Sequence, residues 1–162
     1  MNNAKPDDDI DLMIIVAPDT LWITRFFVNI FLLTKRRFPG QKIAPDKICI
    51  NLWLDTKNLK IETKNLYIAH EVLQAKCIFD RNNIQQQFLQ ENDWVKKHLP
   101  SAYRNLFKNL KFEVFNLNLN LKFKILNYIF FALQYLYMRG KMTTEKVGLG
   151  FAFFHPNNKP PS

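Results

Sequence analysis

Between Ile10 and Val16 only Asp11 is polar, and the run, rich in β-branched side chains, is closed by Ala17-Pro18-Asp19. Seven such residues ended by a proline turn read as a buried β-strand, because a helix of ordinary length needs more. A strand needs partners, and a second apolar run (Ile-Cys-Ile-Asn-Leu-Trp-Leu) follows at 48–54 after a proline-containing loop. Between them Thr20 is placed to cap a helix over 20–37, with apolar residues at Leu21, Phe27, Ile30 and Phe31. Lys35-Arg36-Arg37 then fall in its last turn and Pro39-Gly40 stop it. Strand, helix, strand predicts an α/β (α+β) fold built on a small mixed β-sheet.

The second half changes period. From Asn65 the spacing is helical, through Leu66, Ile68, Ala69, Val72 and Leu73. After Asp80-Arg81-Asn82 a second helix runs through Ile84, Phe88, Trp94 and Val95, and Pro100 ends it. Residues 113–124 alternate, with Leu117, Leu119, Leu121 and Phe123 against Asn116, Asn118, Asn120 and Lys122, while 125–138 carries a helical stripe. The alternation fits a strand or hairpin arm and equally a linker or helical lead into that stripe. The expected organisation is a sheet-bearing core over 1–62, a mainly helical C-terminal region over 63–156 and a disordered tail over 157–162.

A chain of 162 residues, 48% of them hydrophobic, buries a core of one domain's size and is neither a repeat protein nor a disordered one. Twenty-three basic against 14 acidic side chains give +9, which draws polyanions: NTPs, nucleic acid or anionic headgroups. The abundance of Asn, Lys, Ile and Phe also fits an AT-rich genome. Cys49 and Cys77 form no C-x-x-C pair, so neither a disulfide framework nor a zinc site is indicated, and a cytoplasmic location is expected. The two most apolar segments, 21–33 and 125–138, are interrupted by Arg25 and Asn29 and by Asn127 and Gln134. Both fall short of the roughly 20 apolar residues that a membrane span requires and read as buried helices, an interfacial helix being the alternative.

The chemistry concentrates ahead of the first strand, where Asp7, Asp8, Asp9 and Asp11 put four carboxylates in five residues. Charges of one sign this close repel unless cations screen them. On a strand Asp9 and Asp11 share one face while Ile10 and Leu12 take the other. Carboxylates about 7 Å apart along a strand suit Mg²⁺, which accepts one or two of them and completes its octahedron with water and phosphate oxygens. Elsewhere the signals are weaker. In His70-Glu71-Val72-Leu73-Gln74 the glutamine replaces the second histidine of a zinc-protease motif, and no P-loop or Ser-His-Asp order is present.

Asp-Asp-Ile-Asp-Leu-Met-Ile-Ile-Val, over 8–16, resembles the D-h-D strand (h, hydrophobic) of the polymerase-β-like nucleotidyltransferase superfamily. Thr20-Leu21-Trp22-Ile23-Thr24-Arg25, Lys47-Ile48-Cys49-Ile50-Asn51, Tyr67-Ile68-Ala69-His70-Glu71, the segment 88–95 and Phe153-Phe154-His155-Pro156 look like small bacterial nucleotidyltransferase-domain proteins. The resemblance implies two-metal nucleotidyl transfer: Asp9 and Asp11 hold Mg²⁺, the ion clamps an NTP, and pyrophosphate leaves as an acceptor attacks. A third carboxylate then belongs on the neighbouring strand as general base; that strand offers Asn51 and, at its end, Asp55, which also fits a turn opening Asp55-Thr56-Lys57-Asn58. Lys35, Arg36 and Arg37 are the candidates for binding the triphosphate or nucleic acid, although a basic last turn is first of all how a helix end is normally charged. The acceptor is open: a small molecule, nucleic acid or protein.

The superfamily also places a Gly-Ser turn upstream of the acidic pair to hold the triphosphate, whereas only eight residues precede Asp9 and none is glycine. The expectation is that Met1 is an internal start or the chain a fragment. Uncovered apolar surface and a bare sheet edge would then favour a homo-oligomer. A catalytically inactive homologue acting as a nucleic-acid- or protein-binding module is the alternative function. The upstream DNA, read in frame, is expected to encode a Gly-Ser segment; an in-frame stop directly before Met1 is the contrary result.

Overall fold

The computed structural model describes residues 10–37, 45–108 and 121–154. They form an α+β fold in the order β1 (Ile10–Val16), α1 (Leu21–Phe31), β2 (Ile48–Asp55), α2 (Leu66–Gln74), α3 (Ile84–Glu91), a 3-10 turn (Asp93–Lys97), α4 (Pro100–Lys108), α5 (Leu121–Arg139), β3 (Lys146–Gly148) and β4 (Phe151–Phe153). Two compact units divide the chain. One takes in the described residues of Met1–Lys57 and Asn118–Ser162, the other those of Asn58–Leu117. The expected boundary after residue 62 lies near one edge of the second unit; its other edge has no counterpart in the sequence reading.

The first unit holds a four-stranded mixed sheet ordered β1-β2-β4-β3, with β1 and β2 parallel and the other pairs antiparallel. Leu21, Trp22, Trp53 and Ala152 make its core, and Ile14, Val16, Ile50, Phe130, Phe131 and Met138 pack around them. β1 is half-buried rather than buried, with Ile10 exposed. The β3–β4 hairpin was not foreseen: strands of three residues are too short to show a period. A Cβ at Gly148 would come within 2.5 Å of the Phe151 ring, so any larger residue there makes that ring shift. The Gly148 carbonyl accepts from Trp22 Nε1 at 2.9 Å, joining the hairpin to the core.

The first helix ends at Phe31, six residues before the expected stop. The chain turns at Leu32, whose carbonyl accepts from the backbone N–H of Lys35 and of Arg36. Arg37 N then donates to Ile48 O and Ile48 N to Lys35 O, both at 2.9 Å. Pairing with β2 satisfies the same backbone groups that another helical turn would. Lys35, Arg36 and Arg37 are therefore not a charged helix end. Thr20 does not cap α1 with its side chain either; its Oγ1 donates to Ala17 O, and the N–H of Trp22 finds Asn127 Oδ1 of α5 at 2.7 Å. Gln134, two turns further along α5, donates to Trp22 O at 2.8 Å.

In the second unit α2 follows the helical spacing expected from Asn65, and Asn65 caps it, accepting from Ile68 N at 2.8 Å. The single helix expected over 84–95 is instead broken at Asn92. That side chain is fully buried and fully satisfied: Oδ1 accepts from Ile61 N and Trp94 Nε1, and Nδ2 donates to Leu59 O and Phe88 O. A continuing helix could not offer the four partners. Pro100 opens α4 rather than ending a helix, the first position being the one where its missing N–H is harmless. Of the alternating stretch, 113–120 lies outside the described residues, and Leu121 to Lys124 begin α5. Asn92→Ala strands the Ile61 N–H in a dry core and is expected to destabilise the second unit by about 3 kcal/mol, read from urea unfolding.

Candidate functional site

Side chains alternate along β1, and Ile14 and Val16 pack on the core, so Asp11 stands on the opposite face of the sheet, exposed. Asp9, the other half of the expected pair, lies outside the described residues, as does His155. Opposite Asp11 the ladder is irregular: Leu12 pairs with Ile50 but Met13 with Leu52, which leaves Asn51 as an extra residue in β2. A bulge of this kind re-aims its side chain. Asn51 Nδ2 donates to Asp11 Oδ1, and Asn51 Oδ1 accepts from Cys49 Sγ at 2.9 Å. An amide therefore occupies the flank of Asp11 where the nucleotidyltransferase resemblance calls for a base, and an amide takes up no proton at any ordinary pH.

The sheet decides which other residues join them. Ile10 and Arg36 both pair with Ile48, from its two sides, so the segment carrying Lys35, Arg36 and Arg37 reaches the same end of β2 as the start of β1, about 10 Å across. Lys47 belongs to this end too, its Nζ donating to Thr34 O at 3.0 Å. Asp55 does not. It pairs with Val16, five residues beyond Asp11 and about 16 Å along the strand, and on the other face. Its carboxylate is buried and tied to turns: Oδ1 accepts from Lys57 N at 3.0 Å and Oδ2 from Asp19 N. Asp19 adopts a left-handed backbone, and its 2.6 Å contact with Lys57 Nζ raises the pKa of that ammonium.

Asp11 supplies hard oxygen of the kind Mg²⁺ selects, and that ion needs only one or two carboxylates beside water and phosphate. Among the described residues no three His, Cys, Asp or Glu side chains cluster as metal ligands. His70 is exposed on α2, and Trp22, Trp53 and Trp94 are all buried in cores, away from any role as stacking platforms.

Arg25 escaped the sequence reading. Its guanidinium lies over the rings of Phe154 and Trp22, 4.7 and 5.4 Å from their centroids, and donates to Gln134 Oε1. Its buried Nε has no partner among the described residues. Burial, then the charge of Arg36, pushes its pKa down to about 10, which leaves it cationic at neutral pH. The signal available was its intrusion into an otherwise apolar run, shared by Asn127 and Gln134 in α5.

Compared with known proteins, the chain matches no family model, no curated protein and no solved structure.

Asn51→Asp sets two carboxylates within hydrogen-bonding reach. In metal-free buffer this is expected to destabilise the first unit by about 1–2 kcal/mol at neutral pH. The folded pair then binds a proton more tightly than the unfolded chain, so stability returns as pH falls through the carboxylate range. Urea midpoints of variant and wild type at about pH 7 and about pH 4 check the sign.

Proposed function

We propose that the chain is a nucleotidyltransferase-like protein that takes an NTP with Mg²⁺ through Asp9 and Asp11 and passes the nucleoside monophosphate to an acceptor. One juxtaposition supports this reading: an exposed carboxylate near the start of β1, and the Lys35, Arg36, Arg37 segment paired into the same end of the sheet. A metal–triphosphate complex needs both signs, carboxylate for the cation and cations for the phosphate oxygens in excess of it. Bound Mg²⁺ would offset charge on the attacking and departing oxygens as the bond from the α-phosphorus to the bridging oxygen breaks and pyrophosphate leaves. The acceptor is a small molecule, a nucleic acid or a protein. Asp55, held by its turns, serves here as a structural carboxylate.

The second reading is an inactive homologue that binds nucleic acid or protein. The amide of Asn51 favours it, since this described residue at the flank of Asp11 cannot accept the acceptor's proton.

Isothermal titration of the full chain with each NTP, with and without Mg²⁺, separates the two. The enzyme reading expects metal-dependent binding that Asp9→Asn and Asp11→Asn each weaken tenfold or more, about 1.4 kcal/mol. Absence of metal-dependent binding overturns it. Association with nucleic acid that falls steeply with salt and ignores both substitutions supports the binding module.

A further inference from the structure

Helix α5 is inside out. Its inward stripe is Asn127, Phe130, Phe131, Gln134 and Met138, the spacing of one helical face, and two of those five are amides. The opposite stripe, Ile125, Ile129, Leu133 and Leu136, is aliphatic and between 47% and 61% exposed. An ordinary surface helix has this order reversed. Neither amide is free to turn outward, since Asn127 and Gln134 hold the N–H and the carbonyl of Trp22.

The apolar surface continues onto α1, where Phe27 and Phe31 are exposed and the Phe26 ring lies 4.9 Å from that of Phe130. Its charges are of one sign. Neither α1 nor α5 contains an Asp or Glu; α5 carries Lys122, Lys124 and Arg139, and the one cation of α1, Arg25, is turned inward. Lys122 and Arg139 stand near the two ends of the outward stripe. A second copy of this chain on the same face would set cations against cations. An anionic lipid surface answers both properties, with acyl chains for the aliphatic stripe and phosphates for the lysines and arginines. No described helix is long and apolar enough to cross a membrane, so the helices would lie along it.

We propose that the α1/α5 face docks on the surface of a membrane containing anionic phospholipid, its aliphatic and aromatic side chains at the boundary between headgroups and acyl chains. Flotation of the full chain with vesicles of phosphatidylcholine containing about 30% phosphatidylglycerol, against vesicles of phosphatidylcholine alone, tests it. The expected result is binding to the anionic vesicles at least tenfold stronger than to the neutral ones. Ile129→Glu with Leu133→Glu should abolish that binding while circular dichroism stays unchanged. Lys122→Gln with Lys124→Gln should weaken it about thirtyfold. Should the glutamate variant fail to fold, wild-type binding must still fall as salt rises from about 0.1 M to about 1 M. Protein left at the bottom of the gradient, equal binding to neutral vesicles, or a dimer that ignores vesicles and that the glutamate pair converts to monomer would each overturn the proposal.

Discussion

Two amides of α5 hold one residue of α1: Asn127 accepts the backbone N–H of Trp22 and Gln134 donates to its carbonyl. Trp22 is itself wholly buried, and its indole N–H reaches Gly148. A single residue thus joins the first helix, the last helix and the hairpin that completes the sheet. The first N–H groups of any helix lack partners within it, and here one is satisfied by a side chain more than a hundred residues away. The discontinuity of the first unit follows, since the segment after residue 117 is needed to finish what the first 57 begin.

The same bonds fix what α5 shows to its surroundings. With the amides committed inward, the rotation of the helix is set, and its aliphatic side chains take the outside. Arg25 belongs to this interior as well, its guanidinium donating to Gln134 and lying on two aromatic faces. Burying a cation without a carboxylate is unfavourable, and hydrogen bonds with cation–π contacts offset only part of it. The layer between α1 and α5 is therefore more polar, and its outer surface more apolar, than a water-facing helix pair requires.

Across the sheet the decisive irregularity is one residue. The bulge at Asn51 lets its amide meet Asp11, so the expected acidic site is lined on one flank by a group that donates and cannot accept a proton. Parallel pairing then sorts the other candidates by end: Lys35, Arg36 and Arg37 arrive beside the start of β1, whereas Asp55 is carried to the far end and consumed by the turns at Asp19 and Lys57. Near neighbours in the sequence reading became opposite poles of one strand pair. Register is a property of two strands together, and neither run alone contains it.

What the sequence by itself determined is local. The β-branched run at β1, the apolar run at β2, the helical spacing of α2 from Asn65 and the helical stripe of α5 each express a preference of a few neighbouring residues, and each was legible. That Asp11 stands on the face opposite Leu12 was legible for the same reason, since alternation on a strand assigns faces. Tertiary structure decided the rest, wherever a backbone group had two competing partners. The chain after Phe31 left the helix for β2, Asn92 broke a helix to serve four distant groups, and Pro100 opened a helix instead of closing one. β3 and β4 are strands only because β2 has an open side to pair with. Local preferences differ by less than about 1 kcal/mol per residue, comparable with one net hydrogen bond, so a well-placed long-range partner overrides them.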